Sequence, residues 1–487
     1  MENEIAFVGK ILDNVHGFIS YTDAEKRIMD TQLFKRLQSI KQLSVVNWVF
    51  PGSEHTRFIH SLGVMHIADK MAISLELTPK ERRIIRLAGL LHDIGHYPLS
   101  HVCEFPYRKP LALCELPDDQ YCEYINKNVT DSIDSFSIDV KITFMSKSTG
   151  RHHEAIGALI VQNNPEIRDI IIEECQDENA PRIIADIITG NVERAETDPL
   201  WVQIIHSELD ADGIDYLMRD ATFSGTSFGS CEIEQLIGCL KIGYHNDSRI
   251  MCITPKGIAA ADQYLINKFF SYSQVVFNRH IVISEWMAEQ VVNWMQKHHA
   301  IFPSGSTLEN WAKKDHPKYL SFTDNMFWAA LEKILSDELS DLVPHFIQTF
   351  CRYLLHHDEP TFIRESEVRI ISNNAEEIKT ALSNTEIYKN PSSQSTRITT
   401  LSRRNMSNQV PSDKFREELD KKTGAEESSE IVAGEIPQLE LSRLMECISV
   451  LSEDKTIHLL CDDSRSLMRT LYDSNLVILR SYEFPSD

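Results

Sequence analysis

The chain has 487 residues, 42% hydrophobic and 25% charged, an ordinary globular composition with room for more than one core. A net charge of −23 repels polyanions over the averaged surface, so nucleic acid is not an expected partner, and an anionic ligand needs a locally positive pocket. No apolar run approaches membrane-spanning length and the first residues lack a basic start followed by a hydrophobic stretch, so no membrane partner is expected and the expected location is cytoplasmic.

In chain order, residues 1–50 read as an extended piece around His16 and Gly17, then a helix, because Ile28, Leu33, Leu37 and Ile40 recur at a spacing of three to four. Helical character dominates residues 51–230. The stretch LTPKERRIIRLAGLLHD carries a start signal: Thr78 is the N-cap, Pro79 takes the first helical position and Glu81 can close a capping box. That helix delivers His92 and Asp93 near its C-terminal end. Beyond it DVKITFMS is strand-like, and helical blocks follow at RHHEAIGALIVQ and through WVQIIHSELDADGIDYLMRDA.

Residues 231–384 open with strand-and-turn character, with Asn246, Asp247 and Ser248 as a hairpin loop, before long helices resume. Residues 385–436 turn polar and poor in aromatics and read as a mobile linker, in which the basic TRITTLSRRNM is a solvated run. Residues 437–487 hold the strand-like TIHLLCDD and NLVILRSYEF and read as a small α+β segment. The ten cysteines are scattered without a C-x-x-C pair, which suits reduced, buried thiols.

LLHDIGHYPLSHVCE sets His92 beside Asp93 and adds His96 and His101. A lone His-Asp pair is weak, since most histidines are surface or hydrogen-bonded core groups. Its company raises the odds. HTRFIHSLGV places Arg57 and His60 before an apolar helix, and LDADGIDYLMRD sets Asp212, Asp215, Arg219 and Asp220 on a helical pattern. In a bundle, His60, His92, Asp93 and Asp212 can converge from three helices into a mixed nitrogen and oxygen site for a divalent metal, with positions open to water and substrate. A purely structural role for that group is disfavoured, because clustered, uncompensated carboxylates and imidazoles are costly inside a bundle. Asp215, Tyr216 and Arg219 also suit an ordinary helix-surface network. His55 and His66 read as structural or exposed.

The ordered blocks HGFISYT, IMDTQLFKRLQSIKQL, FPGSEHTRFIHSLGV, LLHDIGHYPLSH, HHE and DADGIDYLMRD resemble the HD-domain phosphohydrolase superfamily, in its deoxynucleoside triphosphate triphosphohydrolase branch, over roughly residues 10–290. The resemblance implies a mainly α fold, an HD-domain helical bundle with a smaller α+β C-terminal portion. It implies a metal (Mn, Fe, Mg, Ni or Zn) on His60, His92, Asp93 and Asp212, and a catalytic group of His96, His101, Glu104, His153 and Glu154. His101 would act as general acid, with Glu104 and His153 holding it. Arg57 falls on the α-phosphate arginine, Tyr216 and Asp220 on residues touching phosphate and sugar, and Gln42 and Leu43 on those facing the deoxyribose.

The expected partners are a dNTP substrate, a nucleotide effector and further copies of the chain. The expected products are deoxynucleoside and triphosphate, with antiviral dNTP depletion one role for such an activity. The pattern departs at Gly213, where the branch usually has a lysine or arginine, and at Ser273 and Val282, where it has basic residues; Arg279 and His280 lie in that stretch as candidates to compensate, Arg279 as a candidate substrate-binding residue. Asp30 matches the base-contacting aspartate of a nucleotide-sensing site, but Lys35 and Gln38 replace its neighbours. These departures keep open a phosphohydrolase acting on monophosphates or other phosphoesters, and a nucleotide-sensing regulatory protein.

Overall fold

The computed structural model of the protein describes residues 4–108, 152–297, 302–314, 316–336, 343–371, 380–381, 384–385, 397–406, 441–472 and 474–484. The strand expected at DVKITFMS lies outside these residues.

The chain starts with a hairpin, β1 (Gly9–Asp13) and β2 (Gly17–Tyr21), turned at Gly17 with φ +70°. The expected following helix is instead α1 (Asp23–Asp30), α2 (Gln32–Lys35) and a 3-10 turn, Arg36–Ser39. Thr31 interrupts it: its backbone is extended and its side chain caps α2 through the Phe34 amide. Periodicity carries across such a break unchanged, which is why the sequence reads as continuous.

Next come α3 (Arg57–Ser74), α4 (Pro79–Leu91), α5 (His101–Glu104), α6 (His152–Asn163), α7 (Pro165–Cys175), α8 (Ala180–Ile188), α9 (Pro199–Ile205) and α10 (Ala211–Ser224). The capping box at Thr78 and Glu81 forms as its residues predict, and His92 caps the far end of α4. The predicted block from Trp201 splits into α9 and α10, because Asp210 breaks away and caps α10 through the Gly213 amide at 2.6 Å. α3 is buried almost throughout (His60, Ser61, Gly63 and Asp69 included) and is the central rod on which α4 and α10 pack.

A short helix α11 (Ile233–Gly238) precedes the hairpin β3 (Leu240–His245) and β4 (Ser248–Ile253), where Asn246 and Asp247 take φ +46° and +66° as a tight hairpin turn needs. Then follow α12 (Ile258–Ser271), a π-turn over Tyr272–Val276, α13 (Arg279–Lys297), α14 (Gly305–Lys314), α15 (His316–Tyr319), α16 (Asp324–Ile334) and α17 (His345–His356). The remainder is β5 (Thr361–Ile371), β6 (Arg397–Asn405), α18 (Leu441–Glu446), β7 (Ser449–Leu451), β8 (Ile457–Leu459), α19 (Met468–Leu471) and β9 (Ser474–Glu483).

The fold is mainly α with small sheets, as expected. Residues 397–405, read from sequence as part of the linker, pair along β9 instead. Ile398, Thr399 and Thr400 give the run β-branched character that average polarity hides. The described residues from 441 onward are no separate appendage: β7 and β8 extend the β3–β4 sheet, and β9 is the centre of the sheet β5-β9-β6.

Candidate metal centre and active site

Three helices bring the metal candidates together. His60 sits one turn into α3, His92 and Asp93 close α4, and Asp212 lies in the first turn of α10. His60 Nε2 is 3.0 Å from Asp212 Oδ1 and 3.7 Å from Asp93 Oδ2; His92 Nε2 is 3.4 Å from Asp93 Oδ1 and 3.9 Å from Asp212 Oδ1. The donor atoms of His60, His92 and Asp212 all lie within 4.8 Å of one another.

Both rings are fixed from behind. His60 Nδ1 meets Asp215 Oδ2 at 2.7 Å and His92 Nδ1 meets the Gly89 carbonyl at 2.8 Å. Each Nδ1 therefore carries a proton and turns its Nε2 toward the carboxylates. Both Nε2 atoms are buried and make no hydrogen bond. Buried, orphaned imidazole nitrogens beside carboxylates are what a divalent cation satisfies, so the residues fit the metal. Burial alone would lower the pKa of His60; Asp212 and Asp215 more than offset it and raise it to about 10. Asp93 is held well below the usual carboxylate range, since Arg57, His92, His60 and His153 outweigh its burial.

Asp215 is the residue whose importance the sequence hides. It is fully buried and also meets His16 Nε2 at 2.5 Å and Arg219 Nε at 2.8 Å, while Arg219 Nη1 continues to Asp13 Oδ2 at 2.8 Å. A buried chain of alternating charge thus runs from the hairpin to the back of His60. It corrects the helix-surface reading of Asp215 and Arg219. The available signal is position: Asp215 follows Asp212 by three residues and precedes Arg219 by four, one helical face. Gly63 makes room for it, since a Cβ there would lie 1.8 Å from Asp215 Oδ1.

The second group stands beside the first. Glu104 takes His101 Nδ1 on Oε2 at 2.9 Å and His153 Nδ1 on Oε1 at 3.0 Å, and Oε1 also accepts the His153 amide. His96 stacks on His153 with centroids 4.3 Å apart, and its Nδ1 accepts the Tyr97 amide at 3.0 Å, so Nε2 carries the proton. Although these four could also surround a metal, the occupied Glu104 oxygens and the protonated His96 Nε2 suit proton handling better.

The His101 side chain is 56% exposed. Lost hydration on the ring's crowded inner side lowers its pKa to about 4, with Glu104 opposing and Arg57 and His153 assisting; the solvent-facing side softens that depression. Glu154 Oε1 lies 3.8 Å from His206 Nδ1.

Arg57 is buried, binding Asp93 Oδ2 at 2.7 Å and Ser100 Oγ at 2.9 Å. Asp220 meets His55 Nε2 at 2.8 Å, so His55, expected to be structural or exposed, is buried against a candidate site residue and takes the structural place. Gln42 Oε1 is buried without a hydrogen bond, and Leu43 is half-buried against the core. Arg279 is not brought in: its exposed guanidinium lies over Phe362 of β5, 4.9 Å from the ring centroid.

A cation from another helix lies near Gly213. Lys268 Nζ, on α12, lies 3.5 Å from where a Cβ on Gly213 would be, donates to the Glu208 carbonyl and approaches the Tyr216 ring at 5.8 Å. A larger residue at 213 would collide with Tyr264 Oη at 2.3 Å. Contacts of this kind, some fifty residues apart in sequence, leave no local pattern to read.

Comparison with known proteins agrees with this geometry. The profile of the HD domain matches residues 57–121, which span Arg57, His60, His92 and Asp93. The chain carries an HD domain. Its likeness extends further: it is 27% identical over 357 residues to the uncharacterized protein YwfO of Bacillus subtilis, covering 69% of each chain. Over 113 residues, 22% of this chain and 19% of the other, it is 46% identical to the deoxynucleoside triphosphate triphosphohydrolase SAMHD1 of Bos taurus. The crystal structure of a phosphohydrolase from Bacteroides thetaiotaomicron superposes with a TM-score of 0.60 at 19% identity, covering 98% of this chain and 99% of that one, which shows a shared fold. An HD domain with this donor set supports metal-dependent phosphohydrolase chemistry.

Proposed function

We propose that the protein hydrolyses deoxynucleoside triphosphates to deoxynucleoside and inorganic triphosphate. The observation that carries the reading is the pairing of a metal-ready cluster with a separate His101-Glu104-His153 triad, since a purely structural metal would need no such neighbour. A divalent cation held by His60, His92, Asp93 and Asp212 supplies Lewis acidity toward phosphoryl oxygens and water.

The protein's own groups do the rest. Arg57, buried beside Asp93, offers its guanidinium to the α-phosphate. His101, oriented by Glu104, stands at the exposed edge, where the substrate's negative charge raises its pKa so that it can protonate the departing 5′ oxygen. His96 Nε2–H is a further donor toward phosphoryl oxygens. Lys268 faces the outer phosphates from the position that Gly213 leaves open. Gln42 Oε1, buried and without a partner, accepts a sugar hydroxyl, while Leu43 packs where a 2′-hydroxyl would find none.

Self-association, a nucleotide effector, and a cytoplasmic role in dNTP pool control or antiviral depletion belong to the same reading. The monophosphate alternative rests on a missing cation at Gly213; Lys268 supplies one, which favours the triphosphate. The test is a product assay with metal-loaded protein and each dNTP singly and together, resolving nucleoside from triphosphate. Intact dNTPs in every combination would defeat the proposal.

A further inference from the structure

The turn that leads into His101 is strained, and a carboxylate more than two hundred residues away holds it. Leu99 and Ser100 both take left-handed backbone conformations, φ +48° and +56°, which are strained for residues with a side chain. Two in succession reverse the chain so that α5 opens at once on His101.

Asp324, the first residue of α16, is buried and accepts the Leu99 amide on Oδ1 at 2.7 Å and the Lys41 amide on Oδ2 at 3.0 Å. An aspartate in a first helical turn ordinarily faces its own helix's amides. This one faces two loops instead, and Thr323 before it makes no side-chain cap. Ser100 closes the ring: its Oγ accepts from Arg57 Nε at 2.9 Å and donates to the Lys41 carbonyl at 2.7 Å.

The start of the same loop is pinned from the same side. Tyr319 Oη donates to the Gly95 carbonyl at 2.8 Å, and Arg36 donates to the carbonyls of Ile94 and His96, both at 2.9 Å. The whole span between the end of α4 and His101 thus leans on the Tyr319–Asp324 segment and Arg36. Burial pushes the Asp324 carboxyl up to about 6, against the two amides that favour its anion.

We infer that Asp324 is a positioning residue: with one oxygen on Leu99 and the other on Lys41, it fixes the His101 turn against the Gln42–Leu43 turn. The spacing between the proton donor and the sugar-facing side chains then depends on a residue that touches neither substrate nor metal. Its catalytic meaning rests on the phosphohydrolase reading; the bracing itself does not.

The experiment compares Asp324→Asn with the unmodified protein. Asparagine keeps the shape but offers one carbonyl where two acceptors are used, and its NH2 opposes an amide donor. The expected result is unchanged metal content, faster hydrogen exchange confined to residues 94–104 and 40–44, and hydrolysis of bis(p-nitrophenyl) phosphate slowed about tenfold or more with KM little changed. Asp262→Asn is the control. It removes another buried carboxylate, bonded to Ser466 Oγ and the Leu467 amide, and should lower the melting temperature while leaving exchange over 94–104 and turnover alone.

Unchanged exchange over 94–104 in Asp324→Asn, or an equal rise across α3 and α4, overturns the inference. If that variant does not fold, the unmodified protein decides: its Leu99 amide should exchange about a hundredfold or more slower than a free amide, and free exchange overturns the inference too. Intact dNTPs combined with the expected exchange pattern would sink the substrate reading and leave the bracing standing.

Discussion

Asp215 Oδ2 receives the Nδ1 proton of His60 at 2.7 Å while the same carboxylate binds Arg219 and His16, so the orientation of one candidate metal ligand depends on the carboxylate behind it. Asp215→Asn should weaken metal binding about tenfold to a hundredfold, the usual effect of losing the group behind a ligating histidine. It should also destabilise the fold by about 3–5 kcal/mol, because the fully buried Arg219 loses half of its compensation. Metal titration and thermal melting read the two effects separately. A melting shift with unaltered affinity would show that Asp215 serves only the arginine.

Substitutions in the two clusters should separate metal from proton transfer. Asp212→Ala is expected to lose both metal and activity. His101→Ala should keep metal, since Glu104 ties His101 into the neighbouring group, while turnover falls by about a hundredfold or more, as for loss of a general acid. Elemental analysis beside a turnover assay measures both, and metal loss in the second variant would contradict the assignment.

How much of this could be read from the sequence follows from how local each feature is. The capping box at Thr78 and Glu81 is a four-residue pattern, and it forms where expected. His60, His92, Asp93 and Asp212 stand out because each lies in a compact motif, and helix packing needs only to bring three helix ends together. Thr31 and Asp210 break helices that periodicity leaves whole, because a capping side chain competes with the helix without disturbing apolar spacing. Lys268 and Asp324 leave no trace in the sequence for another reason: their hydrogen-bond partners are backbone groups, the Glu208 carbonyl and two amides. Arg279 misled because a basic residue in the right stretch does not fix which way a helix faces.

On the proposed function Lys268 supplies a charge that Gly213 cannot carry, so its removal should act on binding. Lys268→Met keeps the apolar stem and deletes the ammonium. A charge-assisted contact of about 1.5–3 kcal/mol predicts a KM for dNTPs raised about tenfold or more, with kcat less affected. Steady-state kinetics on the two variants Lys268→Met and Lys268→Arg measure this, and arginine should restore much of the affinity. An equal loss of kcat in the methionine variant would place Lys268 in the chemical step instead.

The metal-free protein should show the charge on His60 directly. With its pKa raised to about 10 by Asp212 and Asp215, this histidine binds its proton more tightly folded than unfolded, where its ordinary value is about 6.5. The sign follows by linkage: the stabilisation is fully present below pH about 6.5 and is lost as pH rises through about 10. A cation takes the same Nε2, so metal binding between those limits must expel a proton. Calorimetric titrations with Mn²⁺ in two buffers of different ionisation enthalpy count that proton. His60→Gln should remove both the release and the decline in metal-free stability across this range. Binding with no buffer dependence at pH 8 would mean that His60 is already neutral and that its partners leave the site prepared for metal without a proton to displace.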